Sequence, residues 1–104
     1  MPSGRLAGVT PASGADTVLW TNPGALTVVT VSAVTRQRGE TAEVRLALCT
    51  GGIGTLSNAD YLEFDSSLGF GSPLERSGIA VATGQSLVVR SSTGNCTFNA
   101  FGVE

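Results

Sequence analysis

Histidine is absent from the 104 residues and so is lysine: all six basic residues are arginine. Without histidine the chain lacks the commonest general base, the usual serine-based triads and the imidazole ligand of most zinc sites. Charge is sparse, with eight acidic residues and a formal net charge of -2. That balance excludes the basic stripe by which proteins hold nucleic acid or anionic membranes. No apolar run is long enough for a membrane-spanning helix or a secretory signal, so the chain is expected to be made in a cytoplasm. Cysteine is nearly absent as well. In a reducing compartment Cys49 and Cys96 are expected to be free, buried thiols rather than a disulfide. The all-arginine basic set suits protein interfaces, where a planar guanidinium pairs carboxylates bidentately, although codon bias produces the same composition.

What is present is Val, Thr and Gly in strand-and-turn order. A chain of this length is one domain that buries about two-thirds of its unfolded surface, so it needs no staple. Leu26 to Thr35 is dense in β-branched residues, which pack well on a pleated surface. Thr41 to Cys49 alternates, with Val44, Leu46 and Leu48 on one face and Glu43 and Arg45 on the other. Arg36 to Glu40, carrying Gly39, joins the two, and the pair reads as a central hairpin.

Residues 1–15, rich in Gly, Ser, Ala and Pro, read as an irregular N-terminal arm, and 16–104 as one sandwich domain. A strand over Asp16–Thr21 ends at Asn22-Pro23-Gly24, where Gly24 is expected in the left-handed third position of a turn. Ala59 to Asp65 is a further strand, with Leu62 and Phe64 on its core face and Tyr61, Glu63 and Asp65 opposite. Leu74–Arg76 and Ile79–Ala82 are pieces split around Gly78. Ser86–Ser91 and Cys96–Val103 complete the set. No segment has helical periodicity with caps. The prediction is an all-β, antiparallel β-sandwich of six to eight short strands, jelly-roll or immunoglobulin-like.

Asp60, Glu63 and Asp65 form the densest acidic cluster. Two carboxylates on one strand face suit a glycosidase pair or a calcium site. A solvated face with arginine partners is the preferred reading, because nothing nearby raises one carboxyl's pKa. Gly51-Gly52-Ile53-Gly54 lacks the Lys and following helix of a phosphate loop. No metal, cofactor or catalytic residue is assigned, and the chain is not expected to be an enzyme. Apolar residues at both parities are the informative signal. Val28, Val29 and Val31, then Leu87, Val88 and Val89, then Phe98 and Phe101 exceed what one two-layer core hides, which implies an outer apolar surface. Trp20 and Tyr61 are amphipathic rings of the kind enriched at interfaces and carbohydrate platforms. The candidate interface is therefore Trp20, Val29, Tyr61, Val88 and Phe101.

Several segments in order carry a family resemblance. They are Leu-Trp-Thr-Asn-Pro-Gly at 19–24, Val-Arg-Leu-Ala-Leu at 44–48, Asp-Tyr-Leu-Glu-Phe-Asp at 60–65 and Leu-Glu-Arg-Ser-Gly-Ile at 74–79. Thr-Gly-Gln-Ser-Leu-Val-Val-Arg-Ser-Ser-Thr-Gly-Asn at 83–95 and Phe-Asn-Ala-Phe-Gly-Val-Glu at 98–104 complete the series. Over Val18 to Glu104 the chain resembles small virion structural proteins of tailed bacteriophages. The family's usual Pro-Ala-Gly after the first strand is Pro-Gly-Ala here. The resemblance implies a non-enzymatic β-sandwich, made in the host cytoplasm and located in the virion. It would be a capsid decoration or cement protein bound to the major capsid protein, or alternatively a tail or fibre module that is structural or host-binding. Partners would be the major capsid protein or other virion proteins and copies of the chain itself, a trimer being favoured, with no nucleic acid and no membrane.

Overall fold

The computed structural model of the chain describes residues 4–103. Eight strands, β1 (Gly4–Val9), β2 (Thr17–Thr21), β3 (Thr27–Thr35), β4 (Thr41–Thr50), β5 (Tyr61–Gly69), β6 (Leu74–Val81), β7 (Gln85–Ser91) and β8 (Cys96–Val103), form two antiparallel sheets. Sheet A has the order β1-β8-β3-β6 and sheet B the order β2-β7-β4-β5. Strands pair from the ends inward, β1 with β8, β2 with β7, β3 with β6 and β4 with β5. A long hairpin rolled up in this way is an eight-stranded jelly roll, which decides between the two sandwich topologies.

Two expectations about strand pairing fail. β3 and β4 are regular strands, but they lie in opposite sheets and are not a hairpin pair. Alternation reports which face of a strand is buried, and both strands bury one face in the same core whether they pair or oppose. The 36–40 segment crosses between sheets, with Gly39 at φ 81°. Its Glu40 carboxylate accepts hydrogen bonds from Thr35 (3.1 Å), Thr93 (3.0 Å) and Asn95 (3.2 Å), tying the crossing to the β7–β8 turn. Nor are the described residues of the lead-in an irregular arm. Residues 1–3 lie outside the described part, while Gly4–Val9 pairs with β8 as an edge strand, and Leu6, Ala7 and Val9 pack on the core.

The core lies between the sheets. Val29, Val31, Ala33, Phe98 and Ala100 come from sheet A, and Val44, Leu46, Leu68, Leu87 and Val89 from sheet B. Burial of these side chains is the main stabilising term. Gly102 faces inward beside Leu6, whose Cδ1 would lie 2.6 Å from an added Cβ, so the close approach of β1 requires glycine there. The turn after β2 departs from expectation, since Gly24 is not among the positive-φ residues. The buried Asn22 side chain shapes it instead, accepting from Gly24 N (2.9 Å) and donating to Ala25 O and Val81 O (both 2.8 Å). β6 is continuous through the expected split, with Gly78 at φ 74° where the register with β3 shifts.

Candidate functional site

The outer faces of the two sheets differ. On sheet B the segment between β4 and β5 folds back over the sheet through two short 3-10 turns, Ile53–Thr55 and Asn58–Asp60. Leu56 and Tyr61 thereby cover Ala47, Cys49 and Val88. This second small cluster explains why Leu87, Val88 and Val89 are all buried: β7 is covered on both faces. On sheet A no such cover is seen among the described residues. Val28 is 48 % and Phe101 41 % exposed, with Val34 exposed farther along β3. Across β3 and β8 Val28 pairs with Val103 and Thr30 with Phe101, so Val28 and Phe101 are diagonal neighbours. Arg5 borders them, lying over Gly8 and donating to Asn99 Oδ1 (3.0 Å).

The five candidate interface residues therefore separate. Phe101 lies on the open face of sheet A. Val29 is 0 % exposed in the core, so it is withdrawn; its neighbour Val28 takes the outward place because side chains alternate. Val88 is also withdrawn, being buried under Leu56 and Tyr61. Trp20 packs against the main core at the β2 edge, where a register shift between Val18 and Trp20 accompanies the burial of Leu19. Tyr61 is half-buried, and its ring meets that of Phe64 edge to face (centroids 4.9 Å apart, 84° between planes).

Phe64 itself was expected in the core and is 55 % exposed. The cause is a double irregularity in β5. Against β4 the register shifts between Val44 and Leu46 and again between Leu46 and Ala47, and Asp65 has φ 52°. An extra residue in one strand reverses the parity of the residues beyond it. Leu62 still packs partly on the core, but Phe64 turns outward. Its ring lies under the Arg45 guanidinium, 4.0 Å from centroid to Cζ.

The same bulge disperses the acidic cluster. Asp60 Oδ2 accepts from Ser57 N (2.9 Å), closing the second 3-10 turn. Glu63 accepts from Ser66 and from Arg76 (2.6 Å each), and Arg76 also donates to Leu62 O (2.8 Å), so this arginine clamps the β6 edge to the β5 edge. Asp65 pairs with Arg45 on the outer face (2.6 Å). Each of the two strand carboxylates has its own arginine. Hydrogen bonds from Ser66 and Arg76 hold Glu63 below the ordinary range, and Arg45 does the same for Asp65 while being raised in turn. Among the described residues no group of three metal-ligating side chains converges.

Two depressions lie along this face. A groove of about 480 Å³ is lined by Asn58, Tyr61 and Phe64, and a polar cleft of about 220 Å³ by Glu43, Arg45, Asp65 and Arg90 among others. Arg45, which lines the cleft and pairs with Asp65, also stacks on Phe64, which lines the groove. Sequence reasoning missed Phe64 and Arg45 because the bulge that brings them together leaves no break in the alternation of Tyr61 to Asp65.

No protein-family model, curated protein or solved structure matches the chain.

Proposed function

We propose that the chain is a non-enzymatic structural protein of a tailed-bacteriophage particle, a capsid decoration protein that docks on the major capsid lattice through the outer face of sheet A. The observation that carries this reading is the pair Val28 and Phe101, exposed apolar side chains at diagonal positions across β3 and β8, on an outer sheet face of the kind the chain covers on its other sheet but not here. The sequence resemblance supplies the particle, and the jelly roll is a fold that viral capsid proteins use, which is support by analogy only. The mechanism is mechanical. Each copy buries an interface of standard size, about 1,600 Å² in total, on assembled subunits. Because it binds the lattice and not free subunits, it shifts the lattice toward the assembled state by mass action. Self-association as a trimer would multiply these contacts without changing the face used.

The test is reconstitution. Purified protein added to particles lacking it should bind on the order of hundreds of copies per particle, as a closed symmetric lattice offers. Phe101→Asp should abolish binding while leaving the melting temperature within a few degrees of wild type. Retained binding by Phe101→Asp would remove the proposed face.

The exposed Phe64, flanked by the half-buried Tyr61 and Arg45 on the opposite sheet, favours a second reading, a tail or fibre module that is structural or host-binding. Copy number separates the two, since a tail component would be present in tens or fewer per particle.

A further inference from the structure

The outer faces of the two sheets point in opposite directions, so a copy docked through sheet A presents the groove and the cleft of sheet B to the medium. We infer that this surface, with Tyr61 and Phe64 in the groove and Arg45 stacked on Phe64 from the cleft, binds a neutral oligosaccharide. The orientation toward the medium rests on the proposed docking through sheet A; the binding itself does not.

Three observations carry the inference. The first is the exposure of Phe64. β5 departs from regular pairing on both sides of Glu63 and holds Asp65 at φ 52°, a conformation uncommon for a residue other than glycine. Bulges recur where a side chain is re-aimed, and residues in sparsely populated backbone regions gather at binding sites. Here the re-aimed ring leaves the core for solvent, which costs apolar burial.

The second is the pairing of chemistries. A sugar ring has flat C–H faces and a rim of hydroxyls, so it needs an aromatic surface beside fixed donors and acceptors. Tyr61 holds Phe64 edge to face, and Asn58 lines the same groove. The Arg45–Asp65 pair, hydrogen-bonded at 2.6 and 3.4 Å, places a planar donor and a planar acceptor next to that ring. The groove, at about 480 Å³, falls in the ~300–1,000 Å³ span of small-molecule sites.

The third is charge. In the cleft Glu43 and Asp65 balance Arg45 and Arg90. Arg45 is committed to Asp65, and Arg90 lies 3.7 Å from Asp16. An acidic sugar would have to displace carboxylates already paired and would meet the exposed Glu43, and a basic ligand would find Asp65 and Asp16 already held by arginines. A flat apolar protein surface would strip water from the ion pairs without replacing their hydrogen bonds. A neutral, hydroxyl-rich ligand meets none of these penalties.

The test uses the isotopically labelled full chain titrated with neutral hexasaccharides of glucose, mannose, galactose and N-acetylglucosamine, and with a polyglucuronate of equal length. At least one neutral probe should shift the amides of residues 58–65 together with Arg45 and Arg90, saturably, at concentrations up to about 10 mM. Phe64→Ala should weaken that binding about tenfold or more while the remaining spectrum stays native, and Phe64→Trp should retain it. Polyglucuronate should bind more weakly than the best neutral probe. Shifts elsewhere, no saturable shift with any neutral probe, or binding indifferent to Phe64→Ala would each overturn the inference. Loss of particle binding by Phe64→Ala would also overturn it, by placing a protein partner on this face. None of these sugar results bears on docking through Phe101, so the two readings fail separately.

Discussion

Leu46→Ala and Phe64→Ala, made separately, ask whether β5 is bulged as described. The alternating pattern treats the two residues alike, and the structure does not. Leu46 is 2 % exposed, opposite Val89 in the centre of sheet B and surrounded by the main core. Truncating it removes buried methyl groups and leaves a cavity that a packed sandwich closes only in part, a loss of about 2–5 kcal/mol. Phe64 is mostly in water. Its removal forfeits one edge-to-face ring contact and one exposed cation–π contact, together about 1–2.5 kcal/mol. For a domain of this size 1 kcal/mol lowers the melting temperature by about 4–8 °C. At one conversion for both, Leu46→Ala should therefore melt roughly 8–40 °C below wild type and Phe64→Ala roughly 4–20 °C below, about half the shift. Urea unfolding followed by circular dichroism gives the same comparison through the midpoint, with the slope unchanged if both variants remain two-state. If Phe64→Ala costs as much as Leu46→Ala, the ring is in the core and the bulge is misplaced. The saccharide inference would then lose its floor.

Removing residues 1–9 takes away β1, exposes the β8 edge and uncovers the core beneath Leu6 and Val9. The truncated protein should melt well below the full chain, and an unchanged melting temperature would return this segment to the role of a dispensable arm. Cys49 and Cys96 are free and buried, Cys49 donating to Gly52 O. Both should resist a thiol reagent in the native state and react fully after unfolding without reductant; an intact mass two protons short would contradict this. Stability should fall in acid. Glu63 is lowered by Ser66 and Arg76, and Asp65 by Arg45. Desolvation pushes Glu40 up, but hydrogen bonds from Thr93, Asn95 and Thr35 outweigh it and leave it lowered too. Each folded value lies below its unfolded one, so the unfolded chain binds more protons in between. The stabilisation is complete above about pH 4.5 and is lost as pH falls through the folded values. A melting temperature that rises on acidification would reverse the sign, and Glu63→Gln should flatten part of the slope.

The parts of the fold legible in the sequence are those set by one strand's own burial. β3 and β4 read correctly as strands because Val29, Val31, Val44 and Leu46 alternate with polar or exposed positions. Their partners did not, because strand pairing in a jelly roll joins residues far apart in the chain and leaves no local mark. β1 was hidden by its composition: Gly4, Ala7 and Gly8 are poor strand formers, and pairing with β8 overrides that preference. The excess of apolar residues at both parities was a sound signal with two different causes. On β7 it reflects cover by the loop between β4 and β5, and on β3 and β8 it reflects an open face. At β5 the sequence misled, since the parity change is made by backbone at Asp65 and no glycine or proline announces it.

The claim that the chain docks on a capsid lattice through sheet A is tested most directly by an electron-microscopy map of the particle. The expected map has sandwich-shaped density of about 40 × 28 × 18 Å repeated over the outside of the head, with Val28 and Phe101 against the capsid subunits and Phe64 facing outward. Density confined to the tail, or a lattice-bound copy with Phe101 in solvent, would contradict it.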